Sequence, residues 1–203
     1  MIKNVIFDIG GVIVAYKRET YLDPFGFDDE TEQFFLKNVI FTPDWTRLSI
    51  GEITTAEFIN NACSKYPEHK EVIEGFFAIE NLKKMIPPFK QTLEFINKLK
   101  DKDYRLFVIS DMEENTIKYL KTEIDGFESM FEDIIYSCRV GMVKKDGNVF
   151  DLAIKRFNIN PKESIFIDDV QRNLDQAAKR GINTFRFTDP TVHIKELENM
   201  LLD

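Results

Sequence analysis

Apolar positions along the chain fall into two rhythms. Five short runs rich in β-branched and aromatic residues (4–7, 105–109, 133–137, 164–167 and 183–187) read as buried strands. Between the later runs the spacing is helical. Leu93, Ile96 and Leu99 share a face after Pro87-Pro88, and Phe150, Ala153, Ile154 and Phe157 fall at i, i+3, i+4 and i+7. Leu174, Ala177 and Ala178 repeat the stripe, with Gly181 predicted as its C-cap. Strands alternating with helices predict βαβ units, hence a doubly wound, mainly parallel α/β sheet of the Rossmann-like kind.

One stretch breaks the alternation. From about residue 15 to 85 no strand is evident, only helical material over 31–37, 44–49, 55–66 and 68–77, and Thr54-x-x-Glu57 predicts a capping box at the third of these. Seventy residues are too many for a structureless loop. The expected organisation is therefore a core of residues 1–15 and 86–203 with a helical subdomain, 16–85, inserted after the first strand.

In open α/β sheets ligands bind beyond the carboxyl ends of the strands. Asp8 follows the first run, Ser110 the second and Asp168-Asp169 the fourth, while the loop after the third carries Gly141-Met142-Val143-Lys144. Taken singly, each is more often a turn or helix-cap residue. At four successive strand ends they predict three carboxylates, a hydroxyl and an ammonium converging on one edge. Carboxylates packed together repel unless a cation sits among them or they hold protons. Their oxygens suit a hard ion, Mg²⁺ where phosphate is also bound. A carboxylate so placed can attack phosphorus and form an aspartyl-phosphate, with the cation, Lys144 and backbone N–H groups stabilising the transferred charge.

Composition narrows the field. The chain has 27 Lys and Arg against 35 Asp and Glu, a net charge of −8, and no basic run. That argues against a nucleic-acid groove or an anionic membrane surface as partner. No apolar stretch approaches a membrane span, and the apolar N-terminus carries Asp8 without an Ala-x-Ala site, so a cytoplasmic protein is expected. Cys63 and Cys138 are too few for a disulfide framework or a zinc site. With only His69 and His193, and no Gly-x-Ser-x-Gly elbow, Walker loop or Gly-x-Gly-x-x-Gly, triad and nucleotide-loop chemistries recede.

In order and spacing, FDIGGVIV, VISD, GMVKKDGNVF and IFIDD followed by Asn173 resemble the four motifs of haloacid dehalogenase superfamily hydrolases. The segment Trp45…Gly51-Glu52-Ile53-Thr54 is similar to the helical caps of that superfamily's small-molecule phosphatases. The resemblance implies a Mg²⁺-dependent phosphatase of a small phosphorylated metabolite, a sugar phosphate being one candidate. It implies Asp8 as nucleophile and metal ligand, the Gly10 carbonyl as a further ligand, and Asp169 with Asp168 completing the metal site. Ser110 and the backbone at Asp111 would hold phosphoryl oxygens, and Lys144 would neutralise nucleophile and phosphate.

Three positions depart from the pattern. Gly10 stands where most such phosphatases carry the Asp that protonates the leaving group, a proton transfer that typically contributes ~10²–10⁴-fold. Asp111 stands where Asn is common and Lys145 where Pro is common. Rival readings are a metal-free dehalogenase of the same superfamily, a catalytically weak member kept for binding or regulation, and a phosphoryl-receiver domain. Trp45, Arg47, Tyr16, Lys17 and Arg18 are the residues expected near the site opening, with Trp45 and Arg47 as candidates for substrate selection.

Overall fold

The computed structural model describes residues 1–16 and 22–203. Five strands, β1 (Asn4–Phe7), β2 (Arg105–Ser110), β3 (Asp133–Tyr136), β4 (Ser164–Asp168) and β5 (Asn183–Arg186), form one all-parallel sheet in the order β3-β2-β1-β4-β5. Parallel pairing needs long crossovers, and these put helices on both faces. Between β1 and β2 lie α1 (Asp29–Phe35), α2 (Pro43–Ser49), α3 (Thr55–Lys65), α4 (Lys70–Phe76), α5 (Ile79–Met85) and α6 (Lys90–Lys100). Then come α7 (Glu114–Glu123), α8 (Ser137–Val140), α9 (Asn148–Arg156), α10 (Gln171–Ala178) and α11 (Pro190–Leu201).

Strand side chains alternate between the two faces. Val5, Phe7, Val108 and Ile167 pack with Phe95 and Leu99 of α6 and Leu197 of α11. Ile6, Phe107, Ile109 and Phe166 pack with Phe150 and Ala153 of α9 and Leu174 of α10. Burial on both faces is why the central strands read as continuous apolar runs. The fifth run differs from its expected burial: β5 pairs with β4 alone, and Asn183, Thr184 and Arg186 are exposed. It is an edge strand, and its polar side chains suit that position.

The insertion also departs in detail from the pattern-based spans. The helix expected over 31–37 runs Asp29–Phe35 and passes into a π-helical turn, Leu36–Ile40, that buries Val39 and Ile40. The one expected over 68–77 is divided into a 3₁₀ turn, Pro67–His69, and α4. Helix α5 was not legible, because only Leu82 and Met85 of its seven residues are buried. The capping box is present, with Thr54 accepting from the Glu57 N–H and Glu57 accepting from the Thr54 N–H. Gly181 lies beyond the Lys179 C-cap with φ +79°, its N–H bonded to Ala178 O. No described helix is long and apolar enough to cross a membrane.

The chain fixes the insertion against the sheet at several points. Ala15 N–H donates to Pro87 O and Phe89 N–H to Ile13 O, so the entering and leaving strands of chain run side by side. Ser137 Oγ donates to Ser49 O at 2.6 Å, Thr55 Oγ1 to Glu113 Oε2 at 2.9 Å, and Asn115 Nδ2 to Phe77 O at 2.8 Å. Gly51 makes the closest approach. Its φ is +77°, and a Cβ there would lie 2.0 Å from the Cys138 carbonyl oxygen. Both the backbone conformation and the contact require glycine. Gly51→Ala is therefore expected to cost more than ~1 kcal/mol, lowering Tm by at least about 2–4 °C in calorimetry. An unchanged Tm would show that the insertion is free to shift away from Cys138.

Candidate active site

The chain leaves β1 for β2 and β3 on one side and returns to β4 and β5 on the other, so the crevice at the β1/β4 carboxyl ends is the topological switch point. Asp8 emerges there directly after Phe7, its N–H bonded to Ile167 O at 2.9 Å. The chain then turns tightly, with the Ile13 and Val14 N–H groups on Ile9 O. Gly11, at φ +74°, lies against Asp169; a Cβ there would sit 2.7 Å from the Asp169 carboxylate. A side chain at Gly11 would thus displace the Asp169 carboxylate, and the positive φ disfavours one there in any case.

Asp8 is buried and fully engaged. Its Oδ1 accepts from Ser110 Oγ at 2.8 Å and from the Ile9 N–H at 2.7 Å, while Lys144 Nζ lies 2.5 Å from its Oδ2. The same ammonium donates to Asp168 Oδ2 at 2.7 Å. Asp168 is fully buried and also accepts from the Val170 N–H at 2.7 Å and Asn173 Nδ2 at 3.2 Å. Asp111, in the position where Asn is common, turns its carboxylate to the Lys144 backbone N–H at 3.0 Å. That contact removes the repulsion expected of an anion pointed at a phosphate, and it ties the end of β2 to the lysine loop. Asp8, Ser110, Lys144, Asp168 and Asp169 lie together at one edge of the sheet, with Asp111 beside them as a further carboxylate.

Charge at this point is unbalanced. Oxygens of Asp8, Asp168 and Asp169 lie within 4.8 Å of one another, around one ammonium. Burial pushes the Asp8 carboxyl up to about 8; Lys144 pulls it down, while Asp168 and Asp169 add to the rise. Asp169 is pushed up to about 6, by burial first and then by Asp168. Burial alone would lower Lys144, but Asp8, Asp168 and Asp111 together outweigh it and keep the ammonium charged. Three carboxylates around one ammonium leave this donor set short of two positive charges when ionised, which a hard divalent cation on oxygen ligands would supply.

Above the cluster is a cavity of about 380 Å³. Asp8, Gly10, Ser110, Asp111, Lys144 and Asp169 line it, as do Lys145, Arg172 and Asn173, whereas Asp168 lies beneath it. Trp45 forms part of the opposite wall, held by α2, whose Thr42 N-cap accepts from the Trp45 N–H at 3.2 Å. Arg47, one residue pair further along α2, does not line the cavity; it is exposed and ion-paired with Asp44 at 2.9 Å and Glu52 at 3.5 Å. The expectation that it reaches the site is corrected on that ground: helix positions two apart point about 200° apart, and these two acids hold Arg47 outward. Tyr16 lines the cavity, and Lys17 and Arg18 fall outside the described residues. Arg172 was signalled only by its neighbourhood to Asn173, and the apolar wall residues carried no sequence signal separating them from core.

Residues 28–187 match the family model described as haloacid dehalogenase-like hydrolase. The chain belongs to that family. A mouse protein named acyl-CoA dehydrogenase family member 10 is 27% identical over 98% of this chain, which spans 19% of that protein's length. A D-ribitol-5-phosphate phosphatase of Bacteroides thetaiotaomicron is 26% identical, the match covering 92% of each chain. A haloacid dehalogenase family enzyme of the same organism, solved with magnesium and inorganic phosphate, superposes with a TM-score of 0.75 at 23% identity, covering 96% of this chain and 99% of its own. The chain is thus a haloacid dehalogenase-like hydrolase with the family's doubly wound fold.

The raised carboxyls give a direct expectation. A cation held by Asp8 and Asp169 must displace protons from these raised carboxyls, so Mg²⁺ affinity should rise as pH increases from about 6 to about 8 and level off above. Titration calorimetry at pH 7 in buffers of different ionisation enthalpy should show proton release. Pure Mg²⁺ binding without proton release would mean that the cluster is already fully ionised.

Proposed function

We propose that the protein is a Mg²⁺-dependent phosphatase acting on a small phosphomonoester through an aspartyl-phosphate at Asp8. The observation that carries this reading is the carboxylate of Asp8 at the mouth of β1, held by Ser110 and Lys144 beside the cavity-facing Asp169. The D-ribitol-5-phosphate phosphatase relative and the magnesium- and phosphate-bound neighbour support it. Asp8, Asp169 and the Gly10 carbonyl would hold the ion, with Asp168 acting indirectly as the residue that positions Lys144. When bound, Mg²⁺ supplies positive charge against the phosphoryl oxygens and the nucleophile together.

In the first step an Asp8 oxygen attacks phosphorus, the new O–P bond forming as the ester P–O bond breaks and the alcohol leaves with its electron pair. Ser110 and the Lys144 ammonium steady the carboxylate and the charge on the phosphoryl oxygens. In the second step water attacks phosphorus, the Asp8 O–P bond breaks, and phosphate and free carboxylate result. Gly10 has no side chain to give or take the protons in either step, so water must do so. A metal-free dehalogenase would leave the cavity-facing Asp169 without a role.

Two experiments test this. Release of p-nitrophenol from its phosphate ester, whose leaving group needs little protonation, should be lost with Asp8→Asn and with EDTA. Activity that survives Asp8→Asn in folded protein contradicts the reading. At Gly10 an added Cβ would meet Tyr16 Cβ and Cγ at 3.5 and 3.6 Å, ordinary contact distances, so aspartate fits there. Gly10→Asp should keep Mg²⁺ binding and raise hydrolysis of alkyl esters by about 10²-fold or more. A folded Gly10→Asp protein slower on every ester would show that the missing proton donor is not what limits turnover.

A further inference from the structure

Resting on the phosphatase reading, we infer that the alcohol part of the substrate is apolar, an aliphatic or aromatic group rather than a polyol. The cavity has two chemically distinct ends. Its floor holds the carboxylates with Ser110, Lys144, Lys145, Arg172 and Asn173. Away from that floor its walls include Trp45, Phe76, Phe77, Leu82, Ile86 and Met112. Phe76, Phe77 and Trp45 are packed against one another, with centroids 5.1 to 6.3 Å apart, so this wall is fixed by its own ring contacts.

Three of the polar side chains lining that side, Ser49, Glu113 and Thr116, are spent inside the protein; Thr46 lines it as well. Ser49 Oγ donates to Trp45 O at 2.8 Å. Thr116 Oγ1 donates to Glu113, whose carboxylate also accepts from Thr55 Oγ1 at 2.9 Å and from the Asn115 and Thr116 N–H groups at 2.6 Å. A sugar or polyol chain would lose water there and find its hydroxyls facing rings and methyl groups, which costs binding for each unpaired group. An alkyl or aryl group gains from the same walls.

Size does not separate the classes. At about 30 Å³ per water-sized group, 380 Å³ accommodates roughly a dozen non-hydrogen atoms, five of them phosphate, leaving room for an alcohol of about seven or eight atoms of either kind. Polarity separates them. Gly10 distinguishes only within the apolar class, since a phenol leaves without the proton that an alkyl or sugar alkoxide needs.

The test uses pentyl phosphate and ribitol 5-phosphate, primary-alkyl esters of five-carbon alcohols that differ in hydroxylation, with nonyl phosphate, equal to ribitol 5-phosphate in non-hydrogen atoms, as the control for size. All three are measured as competitive inhibitors of p-nitrophenyl phosphate hydrolysis and as substrates. Pentyl phosphate, and nonyl phosphate with it, should bind at least about tenfold more tightly than ribitol 5-phosphate and have the higher kcat/KM. Met112→Gln, which keeps the shape of the side chain while placing an amide in the wall, should reduce that preference several-fold and leave the Asp8 dependence intact. Equal binding, or preference for ribitol 5-phosphate, overturns the inference and leaves the phosphatase reading standing. Failure of p-nitrophenyl phosphate itself to turn over with dependence on Asp8 overturns both.

Discussion

A single ammonium, that of Lys144, lies between Asp8 and Asp168 at 2.5 and 2.7 Å, buried with both of them. Removing one partner of such a buried set typically costs ~3–5 kcal/mol, because the remaining charges have neither water nor a counterion. Asp168 therefore anchors the far side of Lys144 while Asp8 presents the near side to the cavity. The lysine loop is fixed in turn by Asp111, which takes the Lys144 backbone N–H. One residue thereby ties together the ends of β1 and β4 through its side chain and the end of β2 through its backbone.

That arrangement is stable yet unfinished. Burial and the neighbouring carboxylates displace Asp8 and Asp169 upward, because one ammonium does not balance the negative charge gathered there. A divalent ion held there would offset that excess of negative charge, as the phosphatase reading requires. The sheet makes this possible, since only at the switch point do the carboxyl ends of two neighbouring strands open in a crevice free of a covering crossover. The helical insertion closes over it, pressed against the core at Gly51 and Cys138.

The polar end of this site was legible in the sequence because strand periodicity fixes where a run stops, and a charged residue immediately after a buried run has few places to go. Asp8, Ser110, Asp168 and Asp169 were found that way, and Lys144 with them. The apolar end was not legible. Phe76, Phe77, Leu82 and Ile86 serve both as the packed interior of the insertion and as cavity wall, and hydrophobic pattern alone cannot distinguish the two. Trp45 and Arg47 illustrate the limit: two positions apart on α2, one faces the cavity and the other is held at the surface by Asp44 and Glu52. Helix α5 escaped for a related reason, since two buried residues in seven do not make a stripe.

The most direct test of the account is chemical trapping of the covalent intermediate. During turnover of p-nitrophenyl phosphate with Mg²⁺, borohydride should reduce the acyl phosphate and leave homoserine at position 8, detectable by peptide mass spectrometry. The account predicts that product only when substrate and Mg²⁺ are both present, with no other carboxylate reduced. Turnover with position 8 unmodified and another residue trapped, or phosphate release with no trappable intermediate under conditions that trap a known acyl phosphate, would contradict it.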